Sequence, residues 1–306
     1  MTGFEVLNAG ILATVQDTGR KGLGSIGVTE SGVMDEFSYH WLNRLLGNDY
    51  GTNALEIVFG GVKLKANGNT TFALSGAKVD ASINNQPIEI WKTYEIKDGD
   101  ILNLGFASSG ARIYLGVVGG FDIIPQFGST SVCLKEGIGG KPLHVKEFLP
   151  YQSKVFKDNK KLALKNQPDY DEVLTLRVVA GYQWDLFDEV ERDKFFSSEY
   201  KVTSQNDRMG YRLSGEKVLS TCKGIISEAI AYGAIQIPSH GEPIVLLKER
   251  QTIGGYPKIG SVIPVDCFKL SQMKQDSIVK FEHISLDEAR RKCRKFYKFF
   301  QENKEL

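Results

Sequence analysis

Three segments of the chain combine carboxylate, guanidinium and amide side chains with glycine where a predicted strand ends. Residues 15–22 read Val-Gln-Asp-Thr-Gly-Arg-Lys-Gly, residues 206–213 read Asn-Asp-Arg-Met-Gly-Tyr-Arg-Leu, and residues 248–257 read Lys-Glu-Arg-Gln-Thr-Ile-Gly-Gly-Tyr-Pro. Such a loop can hold side chains rigidly around a ligand, and Arg can bind a carboxylate through two parallel hydrogen bonds. The segments therefore predict a site for a small polar molecule. Structural ion pairs and turns are the alternative interpretation.

Other motifs for catalysis or cofactor binding are absent or lack the surroundings they need. Residues 22–27 match the G-x-G-x-x-G pattern of dinucleotide-binding loops. No buried strand precedes them and no convincing helix follows, so we interpret them as a glycine-rich loop. The chain has no P-loop, no Gly-x-Ser-x-Gly motif and no His-Glu-x-x-His motif. The four Cys and four His have no metal-ligand spacing, so we predict no metal site.

Composition and charge argue against nucleic acid and membranes as partners. The 306 residues carry a formal net charge of +1, which gives no long-range attraction to either polyanion. No signal peptide or long apolar run is evident, and scattered thiols suit a reducing compartment, so we expect a cytoplasmic protein. The basic residues of 286–301 could contact nucleic acid. A docked amphipathic helix with a solvated basic face is the preferred interpretation.

The pattern of short apolar runs and turns predicts a mainly β protein. Glycine-rich turns and an Asn84-Asn85 hairpin signal separate many short strands in both halves of the chain, as expected for a barrel or sandwich. Helices are predicted only for 35–46, 185–196 and 286–301, the last beginning with a Ser285–Glu288 capping box. The expected organisation is a first half at 1–150, a polar linker or long loop at 151–172, and a second half with a C-terminal helix at 173–306.

An ordered set of motifs resembles the family that contains allophanate hydrolase subunit 2, KipA-like proteins and the C subunit of 5-oxoprolinase. The resemblance runs from about residue 4 to about residue 282. The segments that carry it are Val15–Arg20, Ser31–Asp35, Asn43–Asn48, Ser75–Ala77, Gly119–Asp122, Gly128–Ser131, Asp207–Leu213, Gly233–Pro238 and Arg250–Pro257. Glu249 and Ile253 stand where the family usually has Asp and Thr.

The resemblance implies a fold and a partnership. It implies two cyclophilin-like β-barrel domains and association with a KipI-like protein, which is the first or B subunit of such systems. In 5-oxoprolinase, a LamB/YcsF-like protein joins as the A subunit, and the complex uses ATP to open the lactam of 5-oxoproline to glutamate. We therefore expect one component of such a complex, inactive without its partners. The alternatives are a biotin-dependent carboxyltransferase subunit, with biotin on another chain, and a KipA-like regulatory subunit that binds a KipI-like kinase inhibitor.

Residue chemistry and motif position together suggest roles within such a site. The Arg side chains are candidates for binding an anion or a carbonyl oxygen. The carboxylates are candidates for proton transfer or for orienting the substrate. The Gln and Tyr side chains are candidates for hydrogen bonds to an amide of the substrate. The candidate catalytic residues are Asp17, Asp207, Glu249 and Arg250, and the candidate substrate-binding residues are Arg20, Arg208, Arg212, Gln236, Gln251, Thr252 and Tyr256.

Overall fold

A computed structural model describes residues 1–156 and 159–302, which form two compact units. Unit 1 comprises residues 1–20, 31–170 and the chain from 299, and unit 2 comprises residues 21–30 and 171–298. Relative to the limits predicted from sequence, residues 21–30 are grouped with the second unit, and 151–170 and 299–302 with the first. Residues 157–158 of the predicted linker and 303–306 of the predicted second half lie outside the described residues.

Unit 1 is built on a nine-stranded antiparallel sheet that packs against one helix. Asp35 caps that helix by accepting a hydrogen bond from the Ser38 amide (3.1 Å). Tyr39 and Leu42 of the helix bury their side chains in a small cluster with strand residues. The elements are β1 (Gly3–Ala9), β2 (Leu12–Gln16), α1 (Glu36–Leu45), β3 (Ala54–Val58), β4 (Val62–Asn67), β5 (Thr70–Ile83), β6 (Gln86–Ile88), β7 (Thr93–Ile96), β8 (Ile101–Val117) and β9 (Phe148–Pro150).

Two features of unit 1 compare directly with the sequence prediction. The Asn84-Asn85 hairpin is confirmed, because both residues have positive φ and Ile83 pairs with Gln86 across the turn. Strands β5 and β8, with 14 and 17 residues, are longer than the short strands that the sequence predicts. The pairing of β5 with β8 contains register shifts. Near one of them, Gly76 (φ 91°) lies so close to Arg112 that a Cβ at position 76 would be 2.2 Å from the Arg112 carbonyl oxygen.

Unit 2 contains a closed barrel of seven strands in the order β10-β17-β14-β15-β12-β11-β18. A separate two-stranded ribbon pairs β13 with β16. The elements are β10 (Leu174–Ala180), α2 (Glu189–Ser197), β11 (Glu199–Asn206), β12 (Gly210–Gly215), β13 (Glu228–Ala229), β14 (Ala234–Gln236), β15 (Ile244–Leu246), β16 (Ile253–Gly254), β17 (Lys258–Val262), α3 (Pro264–Leu270), β18 (Ile278–His283) and α4 (Leu286–Glu302). Helix α4 begins in unit 2, and its residues from 299 are grouped with unit 1.

The prediction of a mainly β fold with few helices is confirmed for the described residues. Ser285 caps α4 through a hydrogen bond from the Glu288 amide (3.3 Å), as the capping-box motif predicts. The short helix α3 was not predicted; Pro264 opens it, and its inner residues Cys267 and Phe268 are fully buried. Residues 22–27 form a loop with a single 3₁₀ turn at 24–26, so the interpretation of this segment as a glycine-rich loop is confirmed.

Candidate functional site

A cavity of about 600 Å³ in unit 2 lies against three neighbouring barrel strands. Arg212 on β12 pairs in register with Ile244 on β15, and Ile244 pairs with Gln236 on β14. Directly paired residues in an antiparallel sheet project to the same face, so these three side chains form one row. The adjacent residues Tyr211, Val245 and Ile235 alternate to the other face, where they are at most 1% exposed. The row therefore forms the floor of the cavity.

The walls of the cavity come from two loops that the sequence singles out. On one side lie residues 204–207 and 209–210, where β11 ends and β12 begins; on the other lie Gln251 and Tyr256, which flank β16. The ribbon that carries β16 is fixed to the barrel by an apolar cluster of Ile230, Ala234, Ile244 and Leu246. Burial of this cluster holds the two loops at a fixed spacing around the row.

Six of the cavity-lining polar side chains have no hydrogen-bond partner among the described residues. They are those of Ser204, Gln205, Arg212, Gln236, Gln251 and Tyr256. Gln236 is only 6% exposed as a residue, and its side-chain amide opens onto the cavity. A ligand in the cavity that offers matching donors and acceptors can hydrogen-bond to this amide. The cavity thus presents the Arg212 guanidinium, the Tyr256 phenol, the Ser204 hydroxyl and the amides of Gln205, Gln236 and Gln251 to a small polar ligand.

Asp207 lines the same cavity, but part of its carboxylate is used in the turn. Its Oδ1 accepts hydrogen bonds from the amides of Met209 (2.7 Å) and Gly210 (3.2 Å), which close the connection from β11 to β12. These bonds fix the carboxylate at the cavity wall. Its position allows it to accept a hydrogen bond from a ligand N–H, and its role in proton transfer stays a prediction.

Arg208 and Glu249 lie beside the cavity and bind each other. The Arg208 Nε donates to Glu249 Oε1 at 2.5 Å, and the Glu249 amide donates to the Arg208 carbonyl at 2.8 Å. The two side chains are 11% and 6% exposed. They tie the loop before β12 to the loop after β15, so the geometry gives them a bracing role, and neither lines the cavity.

Arg250 also contacts protein groups rather than the cavity. Its Nε donates to the Ile230 carbonyl (3.0 Å), its Nη1 to the Leu247 carbonyl (3.3 Å), and its Nη2 to the Glu30 carboxylate (3.3 Å). Thr252 contributes its backbone carbonyl to the Ile230 amide (3.1 Å). These bonds hold the segment between β15 and β16, so both residues support the loop that carries Gln251.

Asp17 and Arg20 belong to unit 1, where they fix the segment 126–131. The Asp17 carboxylate accepts hydrogen bonds from Ser129 Oγ (2.6 Å), Ser131 Oγ (2.7 Å) and the Thr130 amide (2.7 Å). Burial acts to raise the pKa of Asp17, but hydrogen bonds from Ser129, Ser131, Gly19 and Thr130 outweigh it and leave the pKa lowered. Arg20 is 2% exposed and donates to the carbonyls of Gln126 and Ser131. A direct part in catalysis stays a prediction for both.

A partly buried ion pair that the sequence analysis did not single out adjoins the row. Lys258, the residue paired with Gln236 across β14 and β17, forms an ion pair with Glu228 of β13. Hydrogen bonds from Lys258 and then Tyr182 lower the pKa of Glu228. Gln183 donates to Glu228 Oε1 (2.8 Å) and accepts from the Lys258 amide (2.8 Å). The pair joins the ribbon to the barrel on the side of Gln236.

The sequence analysis also missed the apolar part of the cavity lining. Ile244 and Leu246 face it because strand β15 alternates, and Met209 faces it from the turn. The period of the strand was available as a signal, but the run Ile244–Leu247 is apolar throughout and does not reveal which face is covered.

Among residues 1–156 and 159–302, no group of three or more His, Cys, Asp or Glu side chains is arranged to hold a metal ion. No helix in those ranges is both long and apolar enough to cross a lipid bilayer.

Comparison with known proteins finds relatives along the whole chain. The C subunit of 5-oxoprolinase from Escherichia coli strain K12 is 32% identical over 310 residues, which cover 98% of this chain and 97% of that protein. The corresponding C subunit of 5-oxoprolinase from Haemophilus influenzae is 32% identical over 95% of this chain and 94% of its own. The crystal structure of Kluyveromyces lactis urea amidolyase superimposes with a TM-score of 0.91 and 27% identity, over 100% of this chain and 20% of that one.

The urea-processing relatives are much longer than this chain. Urea amidolyase of Lachancea kluyveri is 30% identical over 94% of this chain but only 17% of its own length. The sequence family described as carboxyltransferase domain, subdomain A and B, matches residues 26–283, which include the whole cavity lining. The chain therefore belongs to the carboxyltransferase domain family, subdomain A and B, as its motifs suggest.

Proposed function

We propose that this chain is the C subunit of a cytoplasmic, ATP-dependent 5-oxoprolinase, which opens 5-oxoproline to glutamate together with KipI-like and LamB/YcsF-like subunits. Two relatives of similar length are named as the C subunit of 5-oxoprolinase. The observation that carries the proposal is the row Arg212–Ile244–Gln236, which places a cation and an amide on either side of an apolar residue. 5-Oxoproline has the complementary features: a carboxylate, a methylene face and a planar lactam.

Each lining group has a place in this scheme. Arg212 would bind the ligand carboxylate, and Ile244 with Leu246 would pack against the ring methylenes. Gln236 and Gln251 can each offer one donor and one acceptor to the lactam N–H and carbonyl. Asp207 can accept from the lactam N–H, and the Tyr256 hydroxyl can donate to the carbonyl oxygen. Holding a flat amide in one orientation is the contribution expected of this chain, because an unactivated lactam reacts slowly.

The cavity does not suit the triphosphate of ATP. Its lining provides one cationic side chain, Arg212, and also the carboxylate of Asp207. A triphosphate needs several cations or backbone amides around it. We therefore assign ATP no step in this cavity and propose that it binds elsewhere in the complex. The isolated chain is accordingly expected to be inactive.

A carboxyltransferase role is the second candidate, and the family description and the urea amidolyase relatives favour it. The same cavity residues would then hold urea or a related compound, and biotin would be carried by another chain. The amides of Gln236 and Gln251 also suit the ureido ring of biotin, which offers N–H donors and one carbonyl. When bound, biotin would supply the carboxyl group, and Gln236 and Gln251 would orient the acceptor.

The test is reconstitution with partner chains and two substrates. The chain is co-expressed with the KipI-like and LamB/YcsF-like subunits from the same organism, and glutamate and ADP are measured with 5-oxoproline and ATP. Glutamate release that needs all chains supports the first candidate. Carboxylation of urea by carboxybiotin on a carrier chain, with no glutamate from 5-oxoproline, supports the second. Binding of the KipI-like chain without either activity supports a regulatory role.

A further inference from the structure

A second recess, of about 320 Å³, adjoins the cavity at Arg212. The two spaces have four lining residues in common, which are Ser204, Gln205, Arg212 and Ile244. The recess is completed by the loop between β14 and β15, from which His240, Glu242 and Pro243 line it. Because Arg212 borders both spaces, a ligand group held by its guanidinium can carry a neighbouring group in either one.

Strand pairing places Glu242 next to the row that floors the cavity. Ile244 pairs with Arg212, and the Leu213 amide donates to the Pro243 carbonyl at 3.0 Å, so the contact between the chains continues back to Pro243. Residues two apart in an extended segment project to the same face, so Glu242 lies on the same side as Ile244. The carboxylate is therefore one residue step beyond the row.

The Glu242 carboxylate can accept hydrogen bonds from a ligand. Its side chain is 37% exposed, and its Oε2 lies 3.9 Å from His240 Nε2, which is beyond hydrogen-bond distance. The Ser204 hydroxyl and the Gln205 side-chain amide also have no hydrogen-bond partner among the described residues. These three groups match the three N–H donors of an ammonium, whereas a second ligand carboxylate would be repelled by Glu242.

Opening of a lactam creates such an ammonium. The C–N bond breaks, the oxygen of a water molecule joins the carbonyl carbon to give a carboxylate, and both protons of that water go to the nitrogen. In the product, the nitrogen is bonded only to the α carbon, which also bears the carboxylate assigned to Arg212. Rotation about the bond between the α carbon and that carboxylate can then move the ammonium from the cavity into the recess.

We propose that this recess is the subsite for the ammonium group of the ring-opened α-amino acid, bound by Glu242 together with Ser204 and Gln205. The inference rests on the proposed function, in which Arg212 binds the carboxylate of the lactam. The lactam nitrogen is uncharged and has one N–H, so it has less to gain from Glu242 than the ammonium has. Moving the amine into the recess also separates it from the new carboxylate, with which it could re-form the ring.

The test compares glutamate with glutarate, which has both carboxylates and no ammonium. Each is titrated calorimetrically into the assembled complex with its partner chains. The wild-type complex should bind glutamate at least about tenfold more tightly than glutarate, because only glutamate makes the charge-assisted contact with Glu242. Glu242→Gln keeps the size of the side chain and removes its charge, so this variant should lose most of that preference.

Glu216→Gln is the matched control. Glu216 is an exposed carboxylate just after β12 and lines neither space, so the preference for glutamate should persist in this variant. Equal wild-type affinities for the two ligands, an unchanged preference in Glu242→Gln, or equal weakening of both ligands overturns the subsite. Wild-type turnover is measured in parallel, because a complex that releases no glutamate from 5-oxoproline refutes the proposed function itself.

Discussion

Replacing Gly254 with Ala is a small change that the structure predicts will act on the ligand through Gln236. A Cβ built on Gly254 would lie 2.8 Å from Gln236 Nε2 and 2.6 Å from Ile230 Cδ1. Both atoms are the ends of flexible side chains, so they can move while the backbone stays in place. The Gln236 amide would be displaced from the position in which it completes the row with Arg212 and Ile244.

The size of the effect follows from one misplaced amide. Losing a hydrogen bond while a buried partner stays unsatisfied costs about 1–3 kcal/mol, or about 5–150-fold in affinity. We therefore expect Gly254→Ala to lower kcat/KM for 5-oxoproline in the reconstituted complex by a factor in that range. The thermal midpoint should change little, because adding one methyl group beside movable side chains overpacks the cluster only slightly.

The assay is a double-mutant cycle that includes Gln236→Ala. If Gly254 acts through Gln236, the double variant should lose little more than Gln236→Ala alone, because the group that the methyl displaces is already gone. Gly224→Ala is the matched control: its Cβ would meet only the Gly255 carbonyl oxygen at 3.4 Å, an ordinary contact. Full additivity of the two changes, or an unaltered kcat/KM in Gly254→Ala with an intact fold, would refute the reasoning.

Other substitutions separate residues that line the cavity from those that support it. Arg212→Ala should leave the free energy of unfolding within about 0.5 kcal/mol and raise KM for 5-oxoproline at least tenfold, since the exposed guanidinium has no protein partner among the described residues. Glu249→Ala should lower the free energy of unfolding by about 1–3 kcal/mol, because it removes the carboxylate that accepts a hydrogen bond from the partly buried Arg208 Nε; denaturant titration measures both. Arg250→Ala should also destabilise, by about 1–3 kcal/mol, through loss of its carbonyl and Glu30 contacts. For Asp17, the folded pKa lies below the unfolded one, so its stabilising contribution is present above the unfolded value and is lost as pH falls below about 4. Asp17→Asn should therefore flatten the acid limb of a stability–pH profile, and an unchanged limb would contradict that assignment.

The sequence was informative where local chemistry determines structure. The Asn84-Asn85 turn and the Ser285 cap of α4 each depend on a few neighbouring residues, and both predictions are confirmed. The segment 206–213 does approach Gln251 and Tyr256 around one cavity, because Gly210–Arg212 pairs with β15 in the barrel. Strand register decides that proximity, and a single sequence carries only a weak signal of register.

The roles of charged residues were harder to infer from sequence. Arg208, Arg212 and Arg250 are chemically identical, yet only Arg212 faces the cavity, because Arg208 and Arg250 meet Glu249 and Glu30 instead. The partner Glu30 is 220 residues from Arg250, so no local pattern could identify it. The importance of Gly254 was hidden for the same reason, since it depends on the distance to a side chain in another strand.

Binding of a lactam in the cavity over Arg212, Ile244 and Gln236 is the basis of the proposed function. It is tested by ATP-dependent glutamate release from 5-oxoproline by the co-expressed complex, with wild-type chain, with Arg212→Ala, and with this chain omitted. We predict turnover with the wild-type chain, a KM at least about tenfold higher with Arg212→Ala in an assembled complex, and no turnover when the chain is omitted. Turnover by the complex without this chain, or an unchanged KM with Arg212→Ala, would be incompatible with lactam binding at this cavity.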